Sequence, residues 1–375
     1  MSALSVNGFT IGFYPDEGDA GGTKSYLSDL NTALTTSWPH RHQHHHHPTP
    51  APTINVVGWY AQTYAGEQFT GFQLMPLVDD IKREYERCQS SVPFIYEASV
   101  MPFQSWTGYT PTNNTKAFEV AQVMCAMLDR SKLPSGHFAI SEIRLRFGHE
   151  MNYYIGSGLY PPPTSPSDPG LDFRTAFETV ALAIRSLPSP YKDRIKLFWC
   201  PNIASASSSS GAVAEYQTYL PTLKYIDYVG IDYYCPAPGS LSASDFVGKM
   251  QKVHDQWASP SRPFILGETG LHFDAEEGGG MEAKLRWLEA VTGKEARKRL
   301  PNMIGVSWFN YEKDRDYRLL WVGDGEGQRR QNEPFGKWLV ARLDKERRMK
   351  EETEGEGKGK GGGKVKKFWK TLLSN

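Results

Sequence analysis

The sequence predicts an α/β protein that folds as a single-domain TIM (β/α)8 barrel, and three observations point to this fold class. Eight short apolar segments recur along the 375 residues. Each is followed by a helix, or by a connection long enough to contain one, which is typical of parallel strands joined by right-handed crossovers. No G-x-G-x-x-G motif opens a helix after the first segment, so a dinucleotide-binding sheet has no support. Eight such units close more naturally into a barrel than into an open sheet.

The predicted elements follow in order from periodicity and turn residues. Segments of branched and aromatic residues predict strands at residues 9–14, 53–60, 92–101, 140–147, 194–200, 225–233, 263–268 and 302–309. Apolar residues at helical spacing predict helices at 26–34, 74–88, 115–129, 171–187, 243–257, 282–298 and 334–345. A Ser run at 205–210 is expected to be a flexible loop. Together these elements make residues 1–343 one barrel domain.

Two segments stand outside the barrel pattern. Residues 38–53 hold six of the ten histidines beside several prolines. This composition allows a metal site, but it favours a surface insertion with incidental metal affinity. Residues 344–375 are charged and rich in glycine, so a disordered tail is expected. The final K-V-K-K-F-W-K-T-L-L offers the alternative of a small amphipathic contact with a membrane or a partner.

Charge and hydropathy restrict the classes of partner. Lysine plus arginine equals aspartate plus glutamate at 42 each, which gives no argument for nucleic acid or an acidic membrane as the main partner. No apolar run reaches the roughly 20 residues that span a bilayer. No signal sequence is visible, so we expect a cytoplasmic location for the chain as written, or secretion if its start is truncated. A monomer without a cofactor is expected.

The four cysteines do not have the spacing of a zinc site. Cys200 and Cys235 both follow predicted strands, and the ends of parallel strands lie at the same end of a barrel. A disulfide between these two cysteines is therefore one alternative. A single glycosylation sequon at residues 113–115 is a triplet that also arises by chance.

The candidate chemistry begins in residues 143–154, which read I-R-L-R-F-G-H-E-M-N-Y-Y. Active sites of such barrels lie at the carboxyl ends of the strands. Glu150 follows the fourth predicted strand and Glu268 ends the seventh. Cleavage of a glycosidic bond requires such a pair, because one carboxyl group must stay protonated for the leaving oxygen while the other stays ionised. The alternative for Glu150 is a structural ion pair with an arginine.

Four motifs resemble one known family. R-F-G-H-E-M-N resembles the R-P-x-H-E-x-N signature of glycoside hydrolase family 26, the mannanase family in a clan of barrels with catalytic glutamates on strands four and seven. V-G-I-D-Y-Y resembles its sixth-strand segment, and I-L-G-E-T-G resembles its seventh-strand nucleophile segment. V-S-W-F-N-Y-E-K resembles its eighth-strand aromatic wall. The likeness extends from about residue 7 to about residue 343, so the chain is similar to a divergent member.

By position, the resemblance implies a retaining mechanism. Glu150 would be the acid/base and Glu268 the nucleophile, with their carboxyl groups about 5–5.5 Å apart. Arg146 would orient the two carboxylates, and His149 would bind the sugar near its 2-hydroxyl group. No metal ion is part of this mechanism.

The resemblance also implies supporting roles for residues on other strands. Tyr234 would hydrogen-bond the nucleophile with Asp232 nearby, and Trp308 would form the stacking floor under the cleaved sugar. The strand ends add further substrate-binding candidates, which are Trp59, Asn152 and Asn202.

The sequence departs from the family pattern at positions that shape sugar binding, which are Phe147, Gly148 and Tyr153. The expected activity is therefore hydrolysis of a β-linked polysaccharide or oligosaccharide, mannan-like, with the polymer itself left open. One rival hypothesis is a carbohydrate-binding barrel that has lost catalysis. Another is a metal-dependent hydrolase, which needs histidines near the end of the first strand, where this chain reads Y-P-D-E.

Overall fold

The computed structural model describes residues 2–39, 50–88, 92–103, 105–273, 276–323 and 325–359. Most of the histidine-rich insertion, residues 40–49, lies outside the described residues, and so does the stretch 360–375. The choice between a metal site and a surface insertion therefore stays a sequence-based expectation. Among the described helices, none combines the length and the apolar character needed to cross a bilayer.

Eight parallel strands form a closed barrel, which confirms the predicted fold class. In chain order they are β1 (Phe9–Pro15), β2 (Val56–Thr63), β3 (Phe94–Pro102), β4 (Ile140–Phe147), β5 (Ile195–Trp199), β6 (Tyr228–Asp232), β7 (Phe264–Thr269) and β8 (Met303–Asn310). Each strand pairs with the next, and β8 pairs back with β1, where Tyr14 lies opposite Phe309. A short strand, Ser5–Val6, pairs antiparallel with β1. Closure leaves no edge in the ring of eight strands.

Helices alternate with these strands. In chain order they are α1 (Leu27–Thr36), α2 (Met75–Cys88), α3 (Thr115–Arg130), α4 (Met151–Ser157), α5 (Leu171–Arg185), α6 (Tyr191–Arg194), α7 (Ser209–Thr218), α8 (Ala243–Trp257), α9 (Gly280–Thr292), α10 (Lys294–Arg299) and α11 (Glu326–Gly359). The predicted helix at 282–298 is two helices, since the chain leaves helical geometry at Gly293. The Ser run was expected to be a loop throughout, but α7 begins inside it, with Ser208 capping Gly211.

The last helix is longer than predicted. The sequence predicts a helix at 334–345 followed by disorder, whereas α11 runs from Glu326 to Gly359. Glutamate, lysine and arginine are good helix formers, and pairs such as Arg347 with Asp344, whose atoms are 3.2 Å apart, add support along the exposed face. Residues 344–359 are therefore helical. Phe335 and Leu339 hold the first half of this helix in the main apolar core.

The inside of the barrel carries a polar network beneath the strand ends. Glu97 on β3 accepts hydrogen bonds from Arg144 on β4 (3.0 Å) and from Ser307 on β8 (2.6 Å). Tyr14 on β1 donates to the same carboxylate at 3.3 Å. Because Glu97 and its three partners come from four strands, the network ties opposite sides of the ring together. Tyr14 in turn accepts a hydrogen bond from Arg146 at 2.6 Å, which connects the network to the strand ends above it.

The disulfide between Cys200 and Cys235 does not form. Both thiols are free. Cys200 lies inside the barrel mouth and its Sγ donates to Asp232 Oδ1 at 3.1 Å, whereas the Sγ of Cys235 is directed at the carbonyl of Ala237 at 3.4 Å. The two residues follow neighbouring strands, as expected, but their side chains have different partners.

Candidate active site

A sharp turn between β4 and α4 places Glu150. Gly148 has φ +60°, and a Cβ there would lie 2.8 Å from Phe173. Glu150 itself has φ 53°, in the left-handed region where a residue with a side chain is strained. The turn is anchored on both sides, since Gly148 N–H donates to Val100 O at 2.9 Å and Glu150 N–H donates to Cys200 O at 2.8 Å. The turn thereby directs the Glu150 side chain into the barrel mouth.

Three carboxyl groups meet at this mouth. Glu150, Asp232 and Glu268 each contribute an oxygen, and these oxygens all lie within 4.8 Å of one another. Glu268 is the next-to-last residue of β7, and Asp232 is the last residue of β6. The side chains are almost enclosed: Glu150 is 7% exposed, Glu268 is 5% exposed and Asp232 is fully buried. Their distances are short enough for the charge of each to act strongly on the others.

Arg146 provides the positive charge of the cluster. Its Nη1 donates to Glu268 Oε1 at 2.7 Å and to Ser99 Oγ at 3.2 Å, and its Nη2 donates to Asp232 Oδ2. The guanidinium group is completely buried, so these bonds are charge-assisted in a water-poor site. A metal ion held by the three carboxylates would compete with Arg146 for two of them. The sequence-based interpretation that Arg146 orients carboxylates fits this geometry.

The pKa values of Glu150 and Glu268 are shifted in opposite directions. Burial and the adjacent charge of Glu268 raise the pKa of Glu150 to about 8, although Arg146, Tyr154 and Asn202 each act to lower it. Burial also acts to raise the pKa of Glu268, but Arg146 and, to a smaller extent, the other neighbours of this carboxyl group together hold it below its usual value. Near neutral pH the arrangement therefore keeps a proton on Glu150 and a charge on Glu268.

His149 is enclosed beside the pair. Burial and the neighbouring Arg146 lower the pKa of its imidazole to about 3, so the ring is neutral. Its Nε2 lies 3.9 Å from Glu268 Oε1. Its Nδ1 has no hydrogen-bond partner among the described residues, which leaves a polar atom free for a ligand.

Two tyrosines face Glu268. Tyr234 donates a hydrogen bond to Glu268 Oε2 at 2.8 Å, as the sequence predicts. Tyr60 stacks on Tyr14 with ring centres 5.2 Å apart, and its hydroxyl group is buried. Burial, and then the charge of Glu268, raise the pKa of Tyr60 well above 10. Tyr60 in turn acts to lower the pKa of Glu268, so it belongs to the nucleophile's side of the site.

The two predicted asparagines have different positions. Asn202 hydrogen-bonds the Glu150 carboxyl group. Asn152 instead uses its amide to hold the loop after β5: its Oδ1 accepts from Asn202 N–H at 2.9 Å, and its Nδ2 donates to Asn202 O at 3.1 Å and to Glu215 Oε1 at 2.8 Å. Asn152 thus positions Asn202, and its amide is engaged within the protein.

Trp59 and Trp308 do not face the cleft, in contrast to the sequence-based expectation. Both side chains are completely buried in the main apolar core. Their indole N–H groups donate to backbone carbonyls, Trp59 to Pro15 at 2.8 Å and Trp308 to Tyr317 at 2.9 Å. Successive side chains of a strand point to opposite faces, so the residue after each tryptophan faces the barrel mouth. Those residues are Tyr60 and Phe309.

Several residues of the site were not predicted from sequence. Tyr14 and Ser99 bind Arg146, and Tyr154 hydrogen-bonds the Glu150 carboxyl group. Two-residue alternation was the signal that could have found the strand residues. Arg146 must point inward to reach the carboxylates, and Ser99 is its direct neighbour in the β3–β4 pairing, so Ser99 shares its face.

Comparisons with known proteins find likenesses in structure. No protein-family model matches the chain, and no curated protein matches it. GH26C from a Muricauda species superposes with a TM-score of 0.55 at 12% identity, over 89% of this chain and 86% of that chain. A GH26 β-mannanase from Bacteroides ovatus gives 0.50 at 16%, over 88% of each chain. A GH5-4 broad-specificity endoglucanase from Clostridium acetobutylicum gives 0.53 at 14%, over 89% and 97%. At these identities the likeness shows the shared barrel fold.

Proposed function

We propose that this protein is a retaining glycoside hydrolase that cleaves a β-linked polysaccharide or oligosaccharide with Glu150 and Glu268. One observation carries the proposal: two enclosed carboxyl groups, with oxygens within 4.8 Å of each other, have pKa values shifted in opposite directions. Retaining enzymes place their carboxyl groups about 5–5.5 Å apart, whereas inverting enzymes leave about 6.5–9.5 Å for a water molecule. The short separation supports the retaining alternative.

In the first step Glu268 attacks the anomeric carbon of the sugar. The bond from that carbon to the leaving oxygen breaks, and Glu150 transfers its proton to this oxygen. A covalent ester between the sugar and Glu268 results. Arg146 and Tyr234 hold the two oxygens of Glu268 at 2.7 and 2.8 Å and so fix the direction of attack.

In the second step a water molecule replaces the leaving group. Glu150, now ionised, removes a proton from the water as its oxygen bonds to the anomeric carbon. The ester bond breaks, and Glu268 returns to its charged state beside Arg146. The sugar leaves with the anomeric configuration that it had in the substrate.

The substrate that we favour is a β-mannan-like polymer, cleaved within the chain. The motif R-F-G-H-E-M-N supports it, with His149 in the position that would contact the sugar near its 2-hydroxyl group. The neutral ring with an unpartnered Nδ1 is suited to that contact. The fold likeness to the mannanase from Bacteroides ovatus also supports this substrate. The fold likeness to the endoglucanase from Clostridium acetobutylicum is the reason to test β-glucans as well.

A second candidate function is carbohydrate binding without catalysis. The low exposure of Glu150 and Glu268, 7% and 5%, favours it, because a polymer has only a narrow opening to the reacting groups. The opposed pKa shifts speak for the enzyme, since a binding site has no need to hold one carboxyl group protonated and the other charged.

Hydrolysis assays on mannan, several β-glucans, galactan and activated aryl β-glycosides test the proposal. We expect activity on at least one of them, and Glu268→Ala is expected to lower it by a factor of about 10⁴ or more, because the nucleophile is lost. Glu86→Ala, which removes an exposed glutamate from α2, is the matched control and keeps full activity. Equal residual rates in the wild type and in Glu268→Ala would reject the enzyme.

The role of Glu150 is tested by the leaving group. Glu150→Ala is expected to lower turnover of the natural polymer far more than that of a dinitrophenyl glycoside, because a good leaving group needs no proton. Product configuration, followed by NMR during hydrolysis, separates retention from inversion. If both substrates lost the same factor, Glu150 would not be the acid.

A further inference from the structure

A cavity of about 620 Å³ lies between the loops that follow β7 and β8. Its size falls within the roughly 300–1,000 Å³ that is usual for pockets that bind small molecules. The residues that line it come from 272–284 and from 314–321, and they do not include Glu150 or Glu268. The catalytic mechanism above therefore makes no use of this cavity.

The lining is suited to a neutral sugar. Phe273 and Trp321 are partly exposed there, and flat aromatic faces pack against the C–H faces of sugar rings. Asp314 is an exposed acceptor for hydroxyl groups, with no ion pair among the described residues. Each of the two cations has a carboxylate partner. Arg315 pairs with Glu277 at 2.9 Å, and Lys284 lies 3.8 Å from the carboxylate of Asp316 and also donates to two backbone carbonyls.

One aromatic side chain joins the cavity to the carboxylate cluster. The ring centre of Tyr317 lies 5.8 Å from that of Tyr234, which donates to Glu268, and 5.3 Å from that of His272, which lines the cavity. A single aromatic ring, that of Tyr317, thus separates the cavity from Tyr234, which donates to Glu268. A sugar chain of a few units that passes Glu268 would extend over Tyr317 into it.

The order of the strands indicates on which side of the cleaved bond the cavity lies. Glu150 follows β4 and is bonded to Asn202, which follows β5. In a closed ring of eight strands, β4 and β5 lie opposite β8 and β1. The proton donor therefore marks the side of the leaving group, and the loops after β7 and β8 lie towards the side of the sugar that bonds to Glu268.

We propose that the cavity lined by Phe273 and Trp321 is a subsite for a neutral sugar unit of the substrate, on the side of the cleaved bond that stays attached to Glu268. This proposal rests on the proposed function. It assigns the length preference of the enzyme to residues that lie outside the reacting pair, and it excludes an acidic sugar as the occupant because both cations are paired with carboxylates of the chain.

A series of substrates of increasing length tests the subsite. Nitrophenyl glycosides that carry one to five β-mannosyl or β-glucosyl units are hydrolysed by the wild type, Phe273→Ala and Trp321→Ala. Each variant is expected to lower kcat/KM by about ten-fold for the longer substrates, the loss of one good aromatic contact. The one-unit substrate is expected to keep its rate. Phe118→Ala, which removes a 41% exposed aromatic residue from α3, is the matched control without any length effect.

The outcomes distinguish a sugar subsite from a structural role and from no role. A loss that is the same for every length would show a structural role and would overturn the subsite, and so would the absence of any loss. If the wild type hydrolyses none of these substrates, the proposed function fails separately, and calorimetric titration with manno- and cello-oligosaccharides replaces the kinetics. Binding that Trp321→Ala weakens and Phe118→Ala does not would then uphold the subsite alone. Equal binding by the variants, or none by the wild type, would reject it.

Discussion

Glu150 shows how much of a residue's chemistry comes from its surroundings. A glutamate side chain has an ordinary pKa of about 4.3, yet burial beside Glu268 raises the value to about 8. Glu268 is buried to a similar depth, yet its pKa lies below its usual value, because Arg146 donates directly to it at 2.7 Å. The two residues are the same amino acid, and their different contacts with Arg146 and the other groups of the site determine which of them holds the proton.

The pH dependence of kcat/KM should report this difference. Glu150 must be protonated for the first step, so activity is expected to fall as the pH rises through about 8. Glu268 must be ionised, so the fall on the acid side is expected below the usual range of a glutamate. On a phenyl glycoside, whose leaving group still needs the proton, Glu150→Gln should abolish the alkaline fall in the activity that remains. A pH–rate profile of each protein measures it.

Glu17 offers a matched control for that profile. Burial also raises its pKa to about 8, and it accepts a hydrogen bond from Tyr311 at 2.9 Å. Its carboxyl group is not part of the cluster around Glu268. Glu17→Gln is therefore expected to keep the alkaline fall at the wild-type position. If Glu17→Gln moved the alkaline fall and Glu150→Gln did not, the proton would have been assigned to the wrong residue.

At the scale of elements, the site depends on a link between α4 and the loop after β5. Asn152 on α4 binds both the N–H and the carbonyl of Asn202, and Asn202 hydrogen-bonds the Glu150 carboxyl group. Helix α4 itself was not predicted, since it has only 7 residues and begins directly after a left-handed turn. Short helices of this kind carry a weak periodic signal, and tertiary contacts determine whether they form.

Loss of the link should raise the pKa of Glu150. The hydrogen bond from Asn202 stabilises the charged form of the carboxyl group, so it lowers the pKa. Asn202→Ala is expected to shift the alkaline fall of kcat/KM to higher pH, and Asn152→Ala to shift it in the same direction by less. Thr164→Ala, which removes an exposed bond to Asp172 elsewhere in the chain, serves as the control. A shift to lower pH in Asn202→Ala would contradict the link.

At the scale of the whole molecule, the polar network inside the barrel joins strands that are distant in sequence. Glu97 on β3 binds Arg144 on β4 and Ser307 on β8, and the latter two lie 163 positions apart. Breaking a buried ion pair leaves a charge without compensation, which costs about 3–5 kcal/mol. An exposed pair contributes under about 1 kcal/mol.

Two carboxylate deletions test this difference. Glu97→Ala is expected to lower the free energy of unfolding by about 3 kcal/mol, the lower end of that range, because the buried Arg144 keeps only the partly exposed Glu142 as a carboxylate partner. Asp79→Ala removes a carboxylate that also pairs with an arginine, but on the surface, where Arg130 is 51% exposed. Its expected effect is under about 1 kcal/mol. Urea unfolding measures both, and equal effects would show that the interior network does not stabilise the barrel.

The errors of the sequence-based prediction arise mainly from the face on which a side chain lies. Trp59 and Trp308 lie next to the last residue of their predicted strands, and both were expected to face the cleft. In the structure both point away from the mouth, while the residues that follow them, Tyr60 and Phe309, face it. A shift of one residue reverses the face of a strand. Strand bounds read from sequence carry an uncertainty of at least that size, so the choice between neighbouring residues needs the observed pairing.

The sequence by itself determined the order of the eight strands and the presence of Arg146, His149, Glu150, Tyr234 and Glu268 at or directly after strand ends, because periodicity and motifs are properties of neighbouring residues. The tertiary structure decided which side chains meet. Glu150 and Glu268 are 118 positions apart (268 − 150), and their pKa values depend on burial and on the distance to Arg146, which only ring closure sets. The cavity between the loops after β7 and β8 likewise exists only once the loop after β7 packs against Tyr317 in the loop after β8.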